Sequence, residues 1–201
     1  MKRGTLIVFE GIDGCGKSTQ LRRLADVLRA QGLDPVVTRE PTDGPWGRKI
    51  RAMAQSGEAV EPATELEWFC EDRRDHMREV VAPALAAGRV VLSDRSYLST
   101  VAYQGARGLD AEKILADSEA EFERPDLALV FTLDPEAGLA RVAARGGASE
   151  PVFENLPFQK RVAAAFAALR VDGLVRIDAD RIEEAIAEDV LAAVKGVLDL
   201  D

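Results

Sequence analysis

Residues 11 to 18 read Gly-Ile-Asp-Gly-Cys-Gly-Lys-Ser, and this octapeptide restricts the chain more than any other stretch. It satisfies G-x-x-x-x-G-K-[ST] in full. Glycines at this spacing let the backbone wrap around phosphates with its N–H groups inward, the lysine reaches the outer phosphates, and the serine hydroxyl suits Mg²⁺. The flanks fit as well. Thr5 to Glu10 (TLIVFE) reads as a buried strand, and Lys17 to Ala30 as a helix with Leu21, Leu24 and Leu28 on one face and Gly32 as its stop. A glycine-rich turn with a chance lysine is the competing reading, and the strand before and helix after argue against it. The motif implies a nucleoside triphosphate held by Gly11, Ile12, Asp13, Gly14, Cys15, Gly16, Lys17, Ser18 and Thr19. Asp13 either caps a turn or faces a second substrate.

The remaining pattern alternates strands and helices. Further strands are expected at Pro35 to Thr38, Arg89 to Ser93, Leu127 to Leu133 and Leu174 to Ile177. Helices are expected at Gly47 to Gln55, Thr64 to Ala87, Tyr97 to Gly105, Ala111 to Ala120, Glu136 to Ala144, Phe158 to Leu169 and Ile182 to Leu198. Such alternation predicts an α/β architecture of P-loop NTPase type: a five-stranded parallel sheet flanked by helices. Ligands on such sheets bind at the carboxyl ends of the strands. The 201 residues suffice for one domain with a real core, and we expect a single domain with a short lid around Arg141 to Glu154.

Several function classes are disfavoured. The formal net charge of −9 argues against a general nucleic-acid surface. No stretch approaches the roughly 20 apolar residues of a membrane span. The opening MKRGTLIVFEG is too short in its apolar part for a leader and runs into the glycine loop, so it reads as a strand. Cys15 and Cys70, the only cysteines, form no metal-ligand cluster, and a reduced cytoplasmic setting is expected.

Four arginines break the surrounding pattern. Arg73 lies on the apolar face of its helix, four residues from Phe69 and four from Met77. It either bonds to a ring stacked on Phe69, or snorkels, or pairs with a core carboxylate. Asp94-Arg95 follows a strand directly, where the carboxylate is placed to hold Mg²⁺ and the arginine to clamp a phosphate. Arg141 and Arg145 share a helix face beside the Gly146-Gly147 break. Either could stabilise charge in a transition state, a role worth about 10³ to 10⁵ in rate, or both could form a solvated basic face.

Taken in order, these pieces resemble the bacterial thymidylate kinase family over nearly the whole chain. IVFEGIDGCGKSTQ is similar to that family's phosphate loop, and Thr38-Arg39-Glu40-Pro41 to its TREP segment, with Arg51 following. Phe69 and Arg73 resemble its F-x-x-x-R pair. Asp94-Arg95 with Ser99-Thr100-Val101-Ala102-Tyr103-Gln104-Gly105 resembles its DR…S-[ST]-x-A-Y-Q-G stretch, and Arg124-Pro125-Asp126-Leu127 its RPDL. The resemblance implies a nucleoside monophosphate kinase of homodimeric state that phosphorylates dTMP to dTDP with ATP and Mg²⁺, for dTTP synthesis. It implies Lys17, Arg95 and the lid arginines as the charge-neutralising groups, and Ser18 and Asp94 at the metal. On the acceptor side it implies Asp13 near the sugar hydroxyl, and Arg39, Arg51 and Arg95 at the monophosphate beside Glu40 and Pro41. Phe69 would stack on thymine, Arg73 bond to O4, Thr100 and Gln104 read the N3 side, and Tyr103 pack on the deoxyribose. A related kinase with another acceptor, or a nucleotide-binding protein with weak or lost transfer, stays open.

The chain also departs from the family. The TREP segment continues Thr42-Asp43-Gly44-Pro45-Trp46 in place of two glycines and a small residue, which should give a stiffer, more acidic loop near the monophosphate. Ser96 stands where a ring is common. Gly147 to Glu154 carries no arginine, and Gly14 stands where members with such lids place one. That leaves Arg141 and Arg145 on the lid side. His76, the only histidine, has no evident partner, and Cys15 reads first as a small residue that fits its loop, although a helix N-terminus there would favour a thiolate open to oxidation.

Overall fold

The computed structural model describes residues 3–146 and 150–198. Strands β1 (Thr5–Gly11), β2 (Val36–Arg39), β3 (Val90–Asp94), β4 (Leu127–Thr132) and β5 (Leu174–Asp178) form one sheet in the order β2-β3-β1-β4-β5, with every pairing parallel. The α/β architecture expected from the alternation is the one observed. Its central strands are continuously apolar because helices cover both faces. Leu6, Ile7, Val8 and Phe9 of β1 and Leu129 and Val130 of β4 are at most 1% exposed. Each such side chain contributes about 1.5–3 kcal/mol of burial.

Nine helices occur among the described residues: α1 (Lys17–Ala30), α2 (Pro45–Ser56), α3 (Pro62–His76), α4 (Ala82–Ala86), α5 (Tyr97–Ala106), α6 (Ala111–Glu121), α7 (Pro135–Arg145), α8 (Leu156–Ala168) and α9 (Glu183–Lys195). Local chemistry sets many of their starts. The side chains of Ser96, Asp110, Asp134 and Asn155 accept hydrogen bonds from the first N–H groups of α5, α6, α7 and α8. By contrast, α1 begins at Gly16 in the left-handed region (φ 89°) with no side-chain cap, so its first N–H groups stay available to an anion.

The single helix expected over Thr64 to Ala87 is instead α3 and α4 joined by a π turn, Met77–Val81. The Ala82 N–H reaches back five residues to the Met77 carbonyl. Pro83 supplies the reason: it has no N–H for the Glu79 carbonyl, and its ring would crowd that oxygen, so the preceding turn widens. The lid expected around Arg141 to Glu154 falls partly outside the described residues. Arg145 ends α7, Gly146 follows at φ 68°, and Gly147, Ala148 and Ser149 lie outside the described residues.

From β1 the chain passes to one side for β2 and β3 and to the other for β4 and β5. The carboxyl end of β1 is therefore the switch point of the sheet, where a crevice opens. Residues Gly11 to Ser18 sit there.

Candidate active site

Register aligns the strand ends. Asp94 stands opposite Phe9 on one side and Arg39 on the other, and Gly11 stands opposite Phe131. Two backbone bonds tie the segments beyond the strands together: Glu40 N–H to Asp94 O at 3.0 Å and Arg95 N–H to Phe9 O at 2.9 Å. The ends of β1, β2 and β3 thus deliver the glycine loop, Arg39-Glu40-Pro41 and Asp94-Arg95 to one edge. Arg95 holds a left-handed backbone (φ 79°), the only non-glycine to do so among the described residues. That costs of order 1–3 kcal/mol and turns its side chain under the loop.

Within the loop, Ile12 and Cys15 are buried and Lys17 is 6% exposed. The Lys17 ammonium donates to the Ile12 carbonyl at 3.0 Å and lies 3.8 Å from Asp13 Oδ1. Ser18 donates its hydroxyl to the Asp94 carboxylate. The two residues expected at a metal are therefore in contact, both offering hard oxygens. Among the described residues no group of three or more histidine, cysteine or acidic side chains is assembled to hold a cation. Cys15 matches the reading of a small residue that fits, and not the thiolate that a helix N-terminus would favour. The side chain is buried, and burial pushes its thiol pKa up, with the nearby Lys17 charge opposing only in part.

Asp13 and Arg95 form an ion pair at 2.5 Å. The Arg95 guanidinium also donates to Ser99 Oγ at 3.0 Å and to the Gly11 carbonyl at 3.3 Å, and it stands 5.1 Å from the centre of the Tyr103 ring. The Tyr103 hydroxyl donates to Asp13 Oδ2 at 3.3 Å, and its ring meets Phe153 and Phe158 edge-on. Burial by itself would raise the Asp13 pKa. The Arg95 and Lys17 charges prevail and hold it below the usual carboxylate value.

A cavity of about 270 Å³ extends from this pair. Asp13, Arg39, Arg51, Arg95 and Arg145 line it, together with Phe69, Arg73, Thr100 and Gln104. Of its possible readings, Arg73 shows the pairing with a core carboxylate. It is 1% exposed, pairs with Glu40 at 2.7 Å and donates to Thr100 Oγ1 at 2.9 Å, while its Nη1 has no partner among the described residues. Glu40 turns one oxygen to Arg73 and the other to His76 Nδ1 at 3.0 Å. The expectation that His76 lacks a partner is therefore wrong. It is 3% exposed and bonded to both Glu40 and Thr38 Oγ1, the latter at 2.7 Å, so it ties β2 to α3. Gln104, 0% exposed, donates through Nε2 to Glu65 at 2.7 Å, and its Oε1 has no partner among the described residues.

The stiff, acidic loop expected after Pro41 is built around Asp43. Its Oδ1 accepts from Arg39 at 2.7 Å and Arg51 at 3.0 Å, and its carbonyl accepts from Arg48 at 2.6 Å. Asp72 anchors the loop through Thr42, taking its N–H at 2.7 Å and its hydroxyl at 2.6 Å. The lid-side arginines diverge. Arg145 is exposed and faces the cavity, whereas Arg141 donates to the Ala179 carbonyl at 3.2 Å and lies 3.7 Å from Asp180, beyond β5.

Comparison with known proteins gives a consistent result. A family model described as Thymidylate kinase matches residues 9–190. The chain belongs to the thymidylate kinase family. Over 195 residues, 97% of the chain, it is 41% identical to a thymidylate kinase of Desulfotalea psychrophila, covering 96% of that protein. It is 42% identical to one from Xanthomonas campestris and 40% to one from Xanthomonas oryzae, covering 85% of each. Membership makes the chain a phosphotransferase of the nucleoside monophosphate kinase class.

Against that family background, four neighbours of the cavity escape a reading by motif. Glu10 on β1 is 0% exposed and accepts from Ser96 at 2.7 Å and Ser99 at 2.5 Å, with its pKa raised by burial. Ser96 thus has its own work, bonding Glu10 and capping α5. Glu65 holds Gln104. Gln159 on α8 donates to the Phe153 carbonyl at 3.1 Å and reaches Asp13 at 3.4 Å. For Glu10 and Glu65 a signal exists: each is a charge within an apolar strand or on an apolar helix face. Such a charge must find a partner when buried.

Proposed function

We propose that this chain transfers the γ-phosphoryl group of ATP to dTMP, giving dTDP and ADP, within a single domain closed by a short lid around residues 141–154. The observation that carries the acceptor is a pair of buried, unpartnered atoms on two residues that line one cavity: the donor Arg73 Nη1 and the acceptor Gln104 Oε1. The thymine edge offers their complement, O4 as acceptor and N3–H as donor. Leaving either atom bare costs about 1–3 kcal/mol, so a base that pairs both is favoured over one that pairs neither.

Phe69 supplies a flat apolar wall for the ring, and Arg95, Arg39 and Arg51, which line the same cavity, are the cations for the monophosphate. Loop N–H groups and the α1 N-terminus cradle the donor phosphates. Lys17 leaves the Ile12 carbonyl for those oxygens. Ser18 and Asp94 would hold Mg²⁺, which when bound neutralises charge on the donor phosphates. Asp13 orients Arg95 and accepts from the sugar hydroxyl. Arg145 reaches across from α7 toward the transferring group. The protein positions two nucleotides and neutralises charge, and no covalent intermediate with the chain is needed. A homodimer and a cytoplasmic setting accompany this reading on family resemblance. No helix among the described residues is long and apolar enough to cross a membrane.

The test is turnover with ATP and Mg²⁺ across dTMP, dUMP, UMP, CMP, dGMP and AMP. We expect dTMP to give the highest kcat/KM. Preference for another acceptor overturns the assignment, and binding of both nucleotides without dTDP formation would leave a nucleotide-binding protein.

A further inference from the structure

A primary amide has two ends of nearly equal shape and opposite hydrogen-bonding sense, so whatever fixes its rotation fixes what it reads. For Gln104 that neighbour is Glu65, on α3. The Glu65 carboxylate is 0% exposed, and both its oxygens are engaged. One accepts from Gln104 Nε2 at 2.7 Å and the other from Arg107 Nη1 at 2.7 Å. Arg107 is itself fixed, donating through Nη2 to the Val60 carbonyl at 2.7 Å. Burial pushes the Glu65 pKa up, and the Arg107 charge opposes that shift. Held against the Arg107 guanidinium at 2.7 Å, Glu65 takes the carboxylate form, which only accepts. Gln104 must therefore point its NH₂ at Glu65 and turn Oε1 away, where it has no partner among the described residues. One helical turn earlier Thr100 holds Arg73, whose spare Nη1 is the matching donor.

We propose that Glu65 is a positioning residue that sets the sense of Gln104, and so selects pyrimidines bearing a hydrogen on N3 over those bearing a lone pair there. The proposal rests on reading the cavity as the dTMP site. Thymine and uracil present the O4 and N3–H edge. Cytosine presents an amino group and a bare N3, which would meet the Arg73 donor and the Gln104 oxygen with the wrong sense at both atoms. Glu65→Gln keeps the shape and offers either an NH₂ or an oxygen, so it releases Gln104 to turn over.

The experiment measures kcat/KM for dTMP, dUMP and dCMP in the wild type and in E65Q, with thermal melting to establish folding. We expect E65Q to lose at least about tenfold in the dTMP-over-dCMP ratio, the scale of one reversed buried hydrogen bond, and to keep the dTMP-over-dUMP ratio within about twofold. Loss of both ratios together would show general loosening and overturn the proposal, as would an unchanged dCMP ratio. The same ratios read in E65D, which keeps the charge against Arg107 and withdraws the oxygen by one methylene, cover the case in which E65Q does not fold. A dCMP ratio there within about twofold of wild type also overturns it. A wild type that does not favour dTMP would instead overturn the acceptor assignment itself.

Discussion

Gly14 and Gly138 interlock backbone to backbone. A Cβ on Gly14, which holds φ 77°, would lie 2.1 Å from the Gly138 carbonyl oxygen, and a Cβ on Gly138 would lie 2.6 Å from the Asp13 carbonyl. Neither partner is a side chain that can swing away. The phosphate loop therefore rests directly on α7, and no arginine can be carried at position 14 without moving that helix. Gly14→Ala and Gly138→Ala should each cost about 1–3 kcal/mol from strain and clash, a fall in Tm of about 3–10 °C for a chain of this size. G14A should also raise the KM for ATP by at least about tenfold. Calorimetry and ATP titration test this; unaltered Tm and KM in G14A would contradict the interlock.

With position 14 closed, positive charge for the transferring phosphoryl group has to come from Lys17, Arg95 and the lid side. Arg145 faces the cavity, and Arg141 is held at Ala179 and Asp180. Arg145→Ala should lower kcat by at least about 10²-fold, on the scale of arginine-finger effects, with little change in the KM for dTMP. Arg141→Ala should leave kcat within about fivefold. Steady-state kinetics on the two variants separates them, and equal losses would put both arginines in the same role.

How much of this could be read from the chain depends on how local the signal is. The loop from Gly11 to Ser18 is written in eight consecutive residues, and the central strands in largely apolar runs, so both are legible. Arg73 was legible only as an anomaly, because its partner Glu40 lies 33 residues away and a charge on an apolar face does not name its counter-charge. His76 was misread for the same reason: Thr38 and Glu40 reach it from β2 across the fold. The π turn had a visible cause in Pro83, but helical spacing averages over one widened turn. Glu65 faces Gln104 across 39 residues, and nothing in the local pattern reveals that meeting.

Asp43 occupies the arginines assigned to the acceptor's phosphate. It takes Arg39 and Arg51 on one oxygen, and the Arg39 hydrogen bond and charge, aided by Arg51, hold its pKa below the usual carboxylate value, so it is ionised at neutral pH. An incoming monophosphate must displace it. Asp43→Asn should lower the KM for dTMP by about two- to fivefold, the modest scale of an exposed ion pair, with kcat and the KM for ATP unchanged. Added salt should shrink the difference between variant and wild type, since exposed charges are screened. A raised KM in D43N would mean that Asp43 supports the arginines rather than competing for them.

The Glu40–Arg73 pair should govern the acid limb of stability. Burial alone would raise the Glu40 pKa, but the Arg73 charge and the His76 hydrogen bond outweigh it and hold it below the ordinary value. A carboxyl whose folded pKa is depressed binds its proton more readily when unfolded. Its contribution is therefore full above the unfolded pKa of about 4.3 and disappears as pH falls through the folded value. Glu40→Gln removes the charge and leaves Arg73 buried against a neutral partner. At about pH 7 that should cost roughly 3–5 kcal/mol, the usual result of breaking one side of a buried pair. As pH drops below about 4 the wild type loses the same interaction by protonation, so the two unfolding curves should converge. Urea unfolding of both proteins at neutral and acid pH measures this directly. A constant gap at every pH would show that Glu40 stabilises through packing and not through its charge on Arg73.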